Sequence, residues 1–156
     1  TFEPAFAAVM RRYYDFVVRY ENVLSDRRLV TAPRDDETAA VEITGRRGSP
    51  IGIAGMIWTI RRSMPGFRTL SLINLSDAED TLWNAPKPPV RALEHLAVSF
   101  QVGARVTSLF IADPDRSHPI PIQTAFTSAG EGAATRIRFE VPRLEYWTLV
   151  VARVED

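Results

Sequence analysis

Alternation along the chain predicts a β-hairpin from Met56 to Leu75. β-Branched and aromatic residues recur at every second position of both arms, which is typical of strands packed on one or both faces. Between the arms, Pro65 presets the first turn position and Gly66 permits the positive φ of the second. We expect the strands that follow to stack on this pair.

An amphipathic helix is predicted before the hairpin. Apolar residues from Phe6 to Leu24 recur every three or four positions, which is the period of one helix face. Phe2, Tyr14 and Val18 lie on other faces. A helix that is apolar on more than one face is normally buried on more than one face. We therefore expect one face to cover the β-domain and another to need a partner that this chain lacks.

The rest of the chain predicts short strands and turns without intervening helices. The strand candidates outside the hairpin are Ala39 to Thr44, Leu93 to Gln101, Arg105 to Ala112, Ile120 to Thr127, Thr135 to Val141 and Leu144 to Val154. Gly45 to Pro50 reads as a turn or loop, Ser76 to Pro89 as a proline-rich loop, and Pro119 and Pro121 indicate an edge strand. About eight strands with this spacing predict an antiparallel sandwich or barrel. We favour a mainly β fold, an antiparallel β-sandwich of Greek-key type preceded by one long N-terminal α-helix.

This pattern divides the chain into an amphipathic helix, residues 1–30, and a β-sandwich domain, residues 31–156. A chain of 156 residues accommodates one domain with an appended element. The sequence does not begin with Met and enters helix almost at once. Together with the second apolar helix face, this leads us to expect a fragment of a larger protein.

Composition and charge exclude several classes of function. The hydrophobic fraction of 46% and charged fraction of 24% are ordinary for a globular domain. The 19 basic and 19 acidic residues balance, which argues against a nucleic acid or an anionic membrane as partner. The absence of cysteine excludes a disulfide framework, a thiolate nucleophile and a cysteine zinc site.

Candidate acid–base and metal-binding residues are few. His95 lies in a predicted strand and His118 in a proline-flanked loop, and neither has a His or Cys neighbour at ligand spacing. We expect no catalytic role for either histidine. Acidic clusters at residues 35–37, at 77–80, and at 113 and 115 lack the spacing of a calcium loop and are predicted to be solvated turns. The sequence therefore predicts no catalytic residue, no metal site and no cofactor.

The three tryptophans are candidate contacts for sugars, which stack on exposed aromatic faces. Trp58 and Trp147 lie in apolar strands, where we expect core packing. Trp83 lies in the proline-rich loop close to Asp80 and Asn84, and it is the candidate carbohydrate contact. Packing of Trp83 against a neighbouring domain is the alternative.

Several segments together resemble one enzyme family. Arg11 to Asp26, RRYYDFVVRYENVLSD, is similar to the last barrel helix of the dextranase and cycloisomaltooligosaccharide glucanotransferase family, glycoside hydrolase family 66. Within it, Tyr20 to Leu24 matches the Tyr-Glu-Asn-Leu-Leu-like helix end. Pro65 to Leu75, the Trp83 loop and Leu144 to Val154 resemble the C-terminal antiparallel domain of that family.

The resemblance implies a non-catalytic accessory domain at the C-terminus of an α-glucan-acting enzyme. In that family the catalytic Asp and Glu lie on barrel strands well upstream, and none of those strands is present here. The implied parent cleaves or transglycosylates α-1,6-linked glucan and is secreted or held at the cell surface. The implied partners are the catalytic barrel of the parent and α-glucan.

Two alternatives stay open at this point. The domain is a carbohydrate-binding module with exposed aromatic residues on one sheet face, or it is an interaction module that binds another protein through the aromatic helix. Sugar binding that is lost on Trp83→Ala would favour the first alternative, and a specific oligomer or complex would favour the second.

Overall fold

The computed structural model describes residues 4–32, 40–82, 84–116 and 120–155. Its helices are α1 Pro4–Arg19 and α2 Glu21–Leu24, with a short 3-10 helix at Gly132–Ala134. The strands are β1 Val30–Thr31, β2 Val41–Ile43, β3 Gly48–Ser49, β4 Ile57–Met64, β5 Phe67–Asn74, β6 Leu93–Gln101, β7 Arg105–Ala112, β8 Ile122–Gln123, β9 Phe126–Ala129, β10 Arg136–Leu144 and β11 Trp147–Glu155.

These strands form two sheets that pack face to face. The first sheet has the order β1-β4-β5-β11-β7-β8, with β3 beside β4, and the second has the order β2-β6-β10-β9. Every pair is antiparallel except β3 with β4. The chain passes between the sheets after β1, β2, β5, β6, β8 and β10. The last strand, β11, inserts between β5 and β7, which gives the crossing connections of a Greek-key sandwich. The predicted antiparallel β-sandwich is confirmed.

The main core lies between the two sheets, and every second residue of the long strands contributes to it. Its buried members include Leu70, Leu72, Leu109, Ile111 and Val150 of the first sheet and Val98, Phe100, Ile137, Phe139 and Val141 of the second. The rings of Phe100 and Phe139 meet edge to face, with centroids 6.1 Å apart. This alternation places the hydrophobic side chains of both sheets towards each other and stabilises the sandwich.

The hairpin forms where the alternation predicts it. Its strands β4 and β5 pair from Ile57↔Asn74 to Met64↔Phe67, which leaves only Pro65 and Gly66 in the turn. Gly66 has a φ of +78°, a left-handed conformation that side chains other than glycine rarely adopt. The turn chemistry predicted from the Pro-Gly pair is confirmed.

The N-terminal helix lies on the outer face of the first sheet. Phe16 of α1 is fully buried there against Leu149 and Val151 of β11. The single long helix expected from the periodicity is interrupted at Tyr20, where φ is −106° and ψ is 17°. At the end of α2, the Arg62 guanidinium of β4 donates to the Leu24 carbonyl at 2.8 Å and satisfies a terminal helix acceptor.

The strand predicted over Ile120 to Thr127 is wrong in one respect, because two strands replace it. β8 ends the first sheet, while β9 ends the second. Thr124 still donates its backbone N–H to Leu109 of the first sheet, at 2.9 Å, and Phe126 already pairs with Phe139 of the second. The chain therefore changes sheets within two residues. Both strands lie at sheet edges, as the prolines predict.

Two short strands were not predicted. Gly48–Ser49, expected to be part of a turn or loop, forms β3 and pairs in parallel with Ile57 and Trp58. Val30–Thr31 forms β1 on the same edge of β4. Each strand has two residues, which is too short for any periodicity to appear in the sequence.

Neither helix in the described part of the chain is long and apolar enough to cross a membrane.

We predict that Leu70→Ala destabilises the sandwich by about 2–5 kcal/mol, because it leaves a cavity between the sheets. Leu70 is fully buried on β5, a strand paired on both sides. Leu82→Ala removes the same atoms at a site that is 60% exposed, so it serves as the matched control and should change the free energy of unfolding by no more than about 0.5 kcal/mol. Urea unfolding followed by circular dichroism measures both values. Equal losses in the two variants would contradict this assignment of the core.

Candidate functional site

The carboxylate of Asp115 attaches the helix to the sandwich. One oxygen accepts a hydrogen bond from the Tyr13 hydroxyl of α1. The other accepts the backbone N–H groups of Tyr146 and Trp147, at 2.9 and 3.0 Å, where β11 begins. Burial and the bond to Asp115 raise the pKa of Tyr13, so its hydroxyl stays protonated and continues to donate.

Aromatic packing reinforces this attachment. The centroid of the Phe16 ring lies 4.7 Å from that of Tyr20 and 4.8 Å from that of Trp147. The rings of Phe16 and Trp147 meet edge to face. The partly buried side chains that surround Phe16 include Tyr20, Val23, Leu24 and Trp147. Core packing was expected for Trp147, and it packs in this second cluster, between the helix and the sheet.

A second carboxyl group, Asp113, lies behind Asp115. Its Oδ1 accepts the Asp115 backbone N–H at 2.7 Å, and its Oδ2 lies 3.6 Å from Nε of Arg116. Only 4% of Asp113 is exposed, and burial raises its pKa to about 6. The prediction of a solvated turn is wrong here, because the short Asp-Pro-Asp segment is covered where the helix meets the sheet.

A groove of about 610 Å³ opens on another side of the sandwich. We call it the proline-loop groove, because residues 78–82 and 87–90 of the loop between β5 and β6 line one side of it. The opposite wall includes Trp58, Ile73 and Tyr146, and Leu82 faces the groove from the loop. Tyr146 is 46% exposed, and most of the lining side chains are apolar. An open apolar surface of this kind is typical of a binding site.

Two ion pairs brace the loop that forms the groove. Asp77 accepts the Arg91 backbone N–H at 2.9 Å and lies 3.3 Å from its guanidinium. Nearer the tip, Asp80 pairs with Lys87 and accepts the Leu82 backbone N–H at 2.7 Å. The Lys87 ammonium lowers the pKa of Asp80, and the Arg91 N–H lowers that of Asp77. The acidic cluster at 77–80 therefore shapes the loop.

Asn74 joins the two walls of the groove. Its buried side-chain amide donates to the carbonyl of Arg91, at 3.1 Å, and to that of Glu145, at 2.9 Å. Its oxygen accepts the Ser76 backbone N–H at 3.1 Å. One side chain thus connects the end of β5, the far end of the loop and the turn that carries Tyr146.

The structure places Trp58 differently from its expected position in the core. Its indole N–H donates to the Pro50 carbonyl at 3.1 Å, which fixes the ring as part of the groove wall. The side chain is only partly buried. The apolar pattern of the strand could not show this position of Trp58. The start of β4 pairs with the two-residue strand β3, and the Pro50 carbonyl that follows β3 binds the indole N–H.

Other residues selected from the sequence lie apart from the groove or outside the described residues. The candidate carbohydrate contact Trp83, together with His118 and the acidic residues 35–37, lies outside them. His95 has an exposed side chain with Nδ1 2.9 Å from the Glu140 carboxylate, which raises its pKa. Within the described ranges, no group of three or more His, Cys, Asp or Glu residues is placed to hold a metal ion.

Sequence reasoning missed Asp115, Asn74 and Tyr146 as organising residues. Asn74 carried a signal, because asparagine is unfavourable in strands and here follows the apolar residues Leu72 and Ile73 at the end of β5. Asp115 forms its bond to Tyr13 across 102 positions of sequence, so no local pattern reports it. Tyr146 lies in a turn between strands, where an aromatic residue alone does not indicate a groove.

Comparison with known proteins relates the chain to one family of glycosyl hydrolases. The family model described as Glycosyl hydrolase family 66 matches residues 2–151. Two cycloisomaltooligosaccharide glucanotransferases of Niallia circulans are 30% and 28% identical over 145 and 152 residues, or 92% and 96% of this chain. The chain spans about 15% of the length of each of these relatives.

Two solved structures share the fold. A Paenibacillus sp. cycloisomaltooligosaccharide glucanotransferase, complexed with cycloisomaltoheptaose, superposes with a TM-score of 0.86 at 21% identity, over 96% of this chain and 21% of that one. An α-L-fucosidase isoenzyme 2 from Paenibacillus thiaminolyticus gives a TM-score of 0.53 at 16% identity, over 77% of this chain and 16% of that one. These similarities support the sandwich architecture.

We predict that Tyr13→Phe lowers the free energy of unfolding by about 1–2 kcal/mol, because it removes a partly buried donor to a carboxylate. Tyr14→Phe is the matched control, since the neighbouring tyrosine is 71% exposed. Equilibrium unfolding in urea compares the two variants. An unchanged stability of Tyr13→Phe would show that Asp115 does not hold the helix.

The raised pKa of Asp113 predicts that the free energy of unfolding of the domain depends on pH. Its pKa of about 6 in the folded chain exceeds the ordinary value of 3.8, so the folded state binds the proton more tightly than the unfolded state. Its contribution to the free energy of unfolding should therefore rise as the pH falls from about 7 to about 4, by at most about 3 kcal/mol. Asp113→Asn keeps an acceptor oxygen but cannot titrate. The difference between wild type and variant, measured by urea unfolding across this range, isolates the effect, and parallel curves would contradict it.

Proposed function

Because the chain belongs to glycosyl hydrolase family 66, we propose that it is the accessory C-terminal domain of an α-glucan-acting enzyme. In this proposal the domain is not catalytic by itself, and it supports the catalytic barrel of the parent through its N-terminal helix. The short span of the chain on its relatives, about 15% of their length, supports an accessory role. The assignment of residues 1–30 to the last barrel helix is part of the proposal.

An exposed apolar face on the helix is the observation that carries the proposal. Met10, Tyr14, Val17 and Val18 lie at i, i+4, i+7 and i+8, and each is between 43% and 71% exposed. We call these four residues the helix stripe. They lie away from Phe16, which faces the sandwich. A continuous apolar stripe on a surface helix marks an interaction site, and a neighbouring barrel would cover it.

The attachment of the helical segment to the sandwich allows the domain to support a partner. The Tyr13–Asp115 bond holds α1, and the bond from Arg62 to the Leu24 carbonyl holds α2, which follows it directly. The helix stripe is therefore presented in a defined orientation to the sandwich. A partner that packs on the stripe therefore contacts a surface that is fixed to the sandwich, because the helix cannot separate from the sandwich without breaking these bonds.

The catalytic chemistry is proposed to lie in the rest of the parent. Family resemblance assigns the reaction to an Asp nucleophile and a Glu acid/base on barrel strands, acting on α-1,6-linked glucan. The carboxyl groups that this domain buries or pairs are engaged in structure. Asp115 holds the helix, and Asp77 and Asp80 brace the loop.

A protein-interaction module is the second candidate, and the same stripe favours it. The two roles differ in the partner, which is a barrel of the same polypeptide in the first and a separate protein or second copy in the second. A stoichiometric dimer of the 156-residue chain that the stripe substitutions dissociate would support the second role.

We predict that Tyr14→Ser with Val18→Ser lowers the melting temperature of the catalytic barrel in the parent enzyme, because the barrel loses apolar contact with the helix. In the 156-residue chain the same pair should reduce non-specific self-association. It should change the free energy of unfolding by no more than about 0.5 kcal/mol per site, since both residues are exposed. Calorimetry of the parent and sedimentation velocity of the chain provide the measurements.

Val30→Ser with Ile120→Ser is the matched control, because both residues are 63% exposed and lie outside the helix. The control should leave the melting temperature of the barrel unchanged. The proposal fails if the stripe variant also leaves it unchanged, or if the stripe variant unfolds the isolated domain, which would place the stripe inside the fold.

A further inference from the structure

We infer that the proline-loop groove binds a neutral oligosaccharide, with a sugar ring against Tyr146 and its hydroxyl groups directed to Asp80 and Lys87. This site is separate from the helix stripe, which lies on α1, whereas the groove is built from β4, β5, residues 78–82 and 87–90, and the turn before β11. It goes beyond a purely supporting role for the domain.

The groove is held in shape by contacts that do not need a ligand. Asn74 connects the end of the loop to the turn before β11, and Asp77 closes the base of the loop onto Arg91. Three prolines at 86, 88 and 89 restrict the backbone between these anchors. A preformed groove loses little conformational entropy on binding, which favours affinity for a small ligand.

The size of the groove suits a small ligand. Its volume of about 610 Å³ lies inside the range of roughly 300–1,000 Å³ typical of small-molecule sites. Trp58 and Tyr146 provide aromatic surface on one wall, and Leu82 provides aliphatic surface on the loop. The indole N–H of Trp58 is already bonded to Pro50, so its remaining surface is apolar.

The charges of the groove select a neutral ligand. Asp80 and Lys87 are the ionised side chains that line it within the described residues, and they pair with each other. The pair leaves no net charge to attract an anion or a cation. Both groups are partly exposed, at 43% and 35% of their side chains, and keep capacity for further hydrogen bonds.

A sugar ring matches this combination of surfaces. A pyranose has an apolar C–H face that packs on an aromatic ring and a rim of hydroxyl groups that both donate and accept. A carboxylate at the edge of the groove accepts from such a hydroxyl, and the neighbouring ammonium donates to the next. A purely apolar ligand would use the walls and leave the Asp80–Lys87 edge without a role.

Titration of the 156-residue chain with a linear α-1,6-linked glucose heptamer, followed by ¹H–¹⁵N NMR, tests the inference. The choice of this probe rests on the proposed function. We expect saturable shifts at the Trp58 indole N–H and at the backbone of Ile73, Leu82 and Tyr146. Shifts confined to α1, or no saturable shift, would overturn the inference without affecting the support role, which is tested on the helix stripe.

Variants distinguish stacking from non-specific contact. Tyr146→Ala should weaken binding by about tenfold, whereas Tyr146→Phe should retain it because the ring remains. The backbone N–H that Tyr146 donates to Asp115 is present in both variants. Val30→Ala truncates a side chain that is 63% exposed and lies outside both the groove and the helix stripe, and it is the control, which should leave the affinity unchanged. Equal affinities for Tyr146→Ala and wild type would overturn the inference.

Two further titrations complete the test. Asp80→Asn with Lys87→Met should weaken binding of the heptamer by about tenfold or more, because charged hydrogen-bond partners of the hydroxyl groups are lost. A proline-rich peptide tests the rival occupant of an aromatic groove, and binding of that peptide in place of the sugar would overturn the inference.

Discussion

The carboxylate of Asp115 is the contact on which the position of the helix depends. It takes a hydroxyl donor from α1 and two backbone donors from the start of β11, so both of its oxygens are used where the helix meets the sheet. A half-covered carboxylate without these donors would be costly to bury. The same bonds set the backbone of Tyr146, and the edge of the groove is thereby positioned by the residue that holds the helix.

β11 links the two cores of the molecule. Val150 and Ala152 face the core between the sheets, whereas Leu149 and Val151 face Phe16 under the helix. Because β11 has buried side chains on both faces, it is the strand that connects the core under the helix with the core between the sheets. The helix is therefore part of the folded unit at its C-terminal half, while the helix stripe remains available to a partner.

The parts of the fold that were predictable are those determined by local pattern. The hairpin, β6 and β7 follow alternation and turn chemistry, and β6 and β7 have the bounds that the pattern predicts. Alternation continues unchanged when a chain moves to another sheet, which is why β8 and β9 were predicted as one strand. Asp115 and Asn74 act through partners distant in sequence, so their roles appear only in three dimensions. The position of Trp58 likewise depends on a tertiary contact, the hydrogen bond from its indole N–H to the Pro50 carbonyl.

The anchoring of the loop between β5 and β6 has a consequence for how the domain can vary. Asn74 and Asp77 at one end and Arg91 at the other close the loop at its base, so the sheets are insulated from changes at its tip. Lengthening a surface loop costs little free energy once its ends are held together. Residues 84–86 are therefore a position where insertions can accumulate without disturbing strand register, and the sandwich can serve as a constant frame for loops of different length.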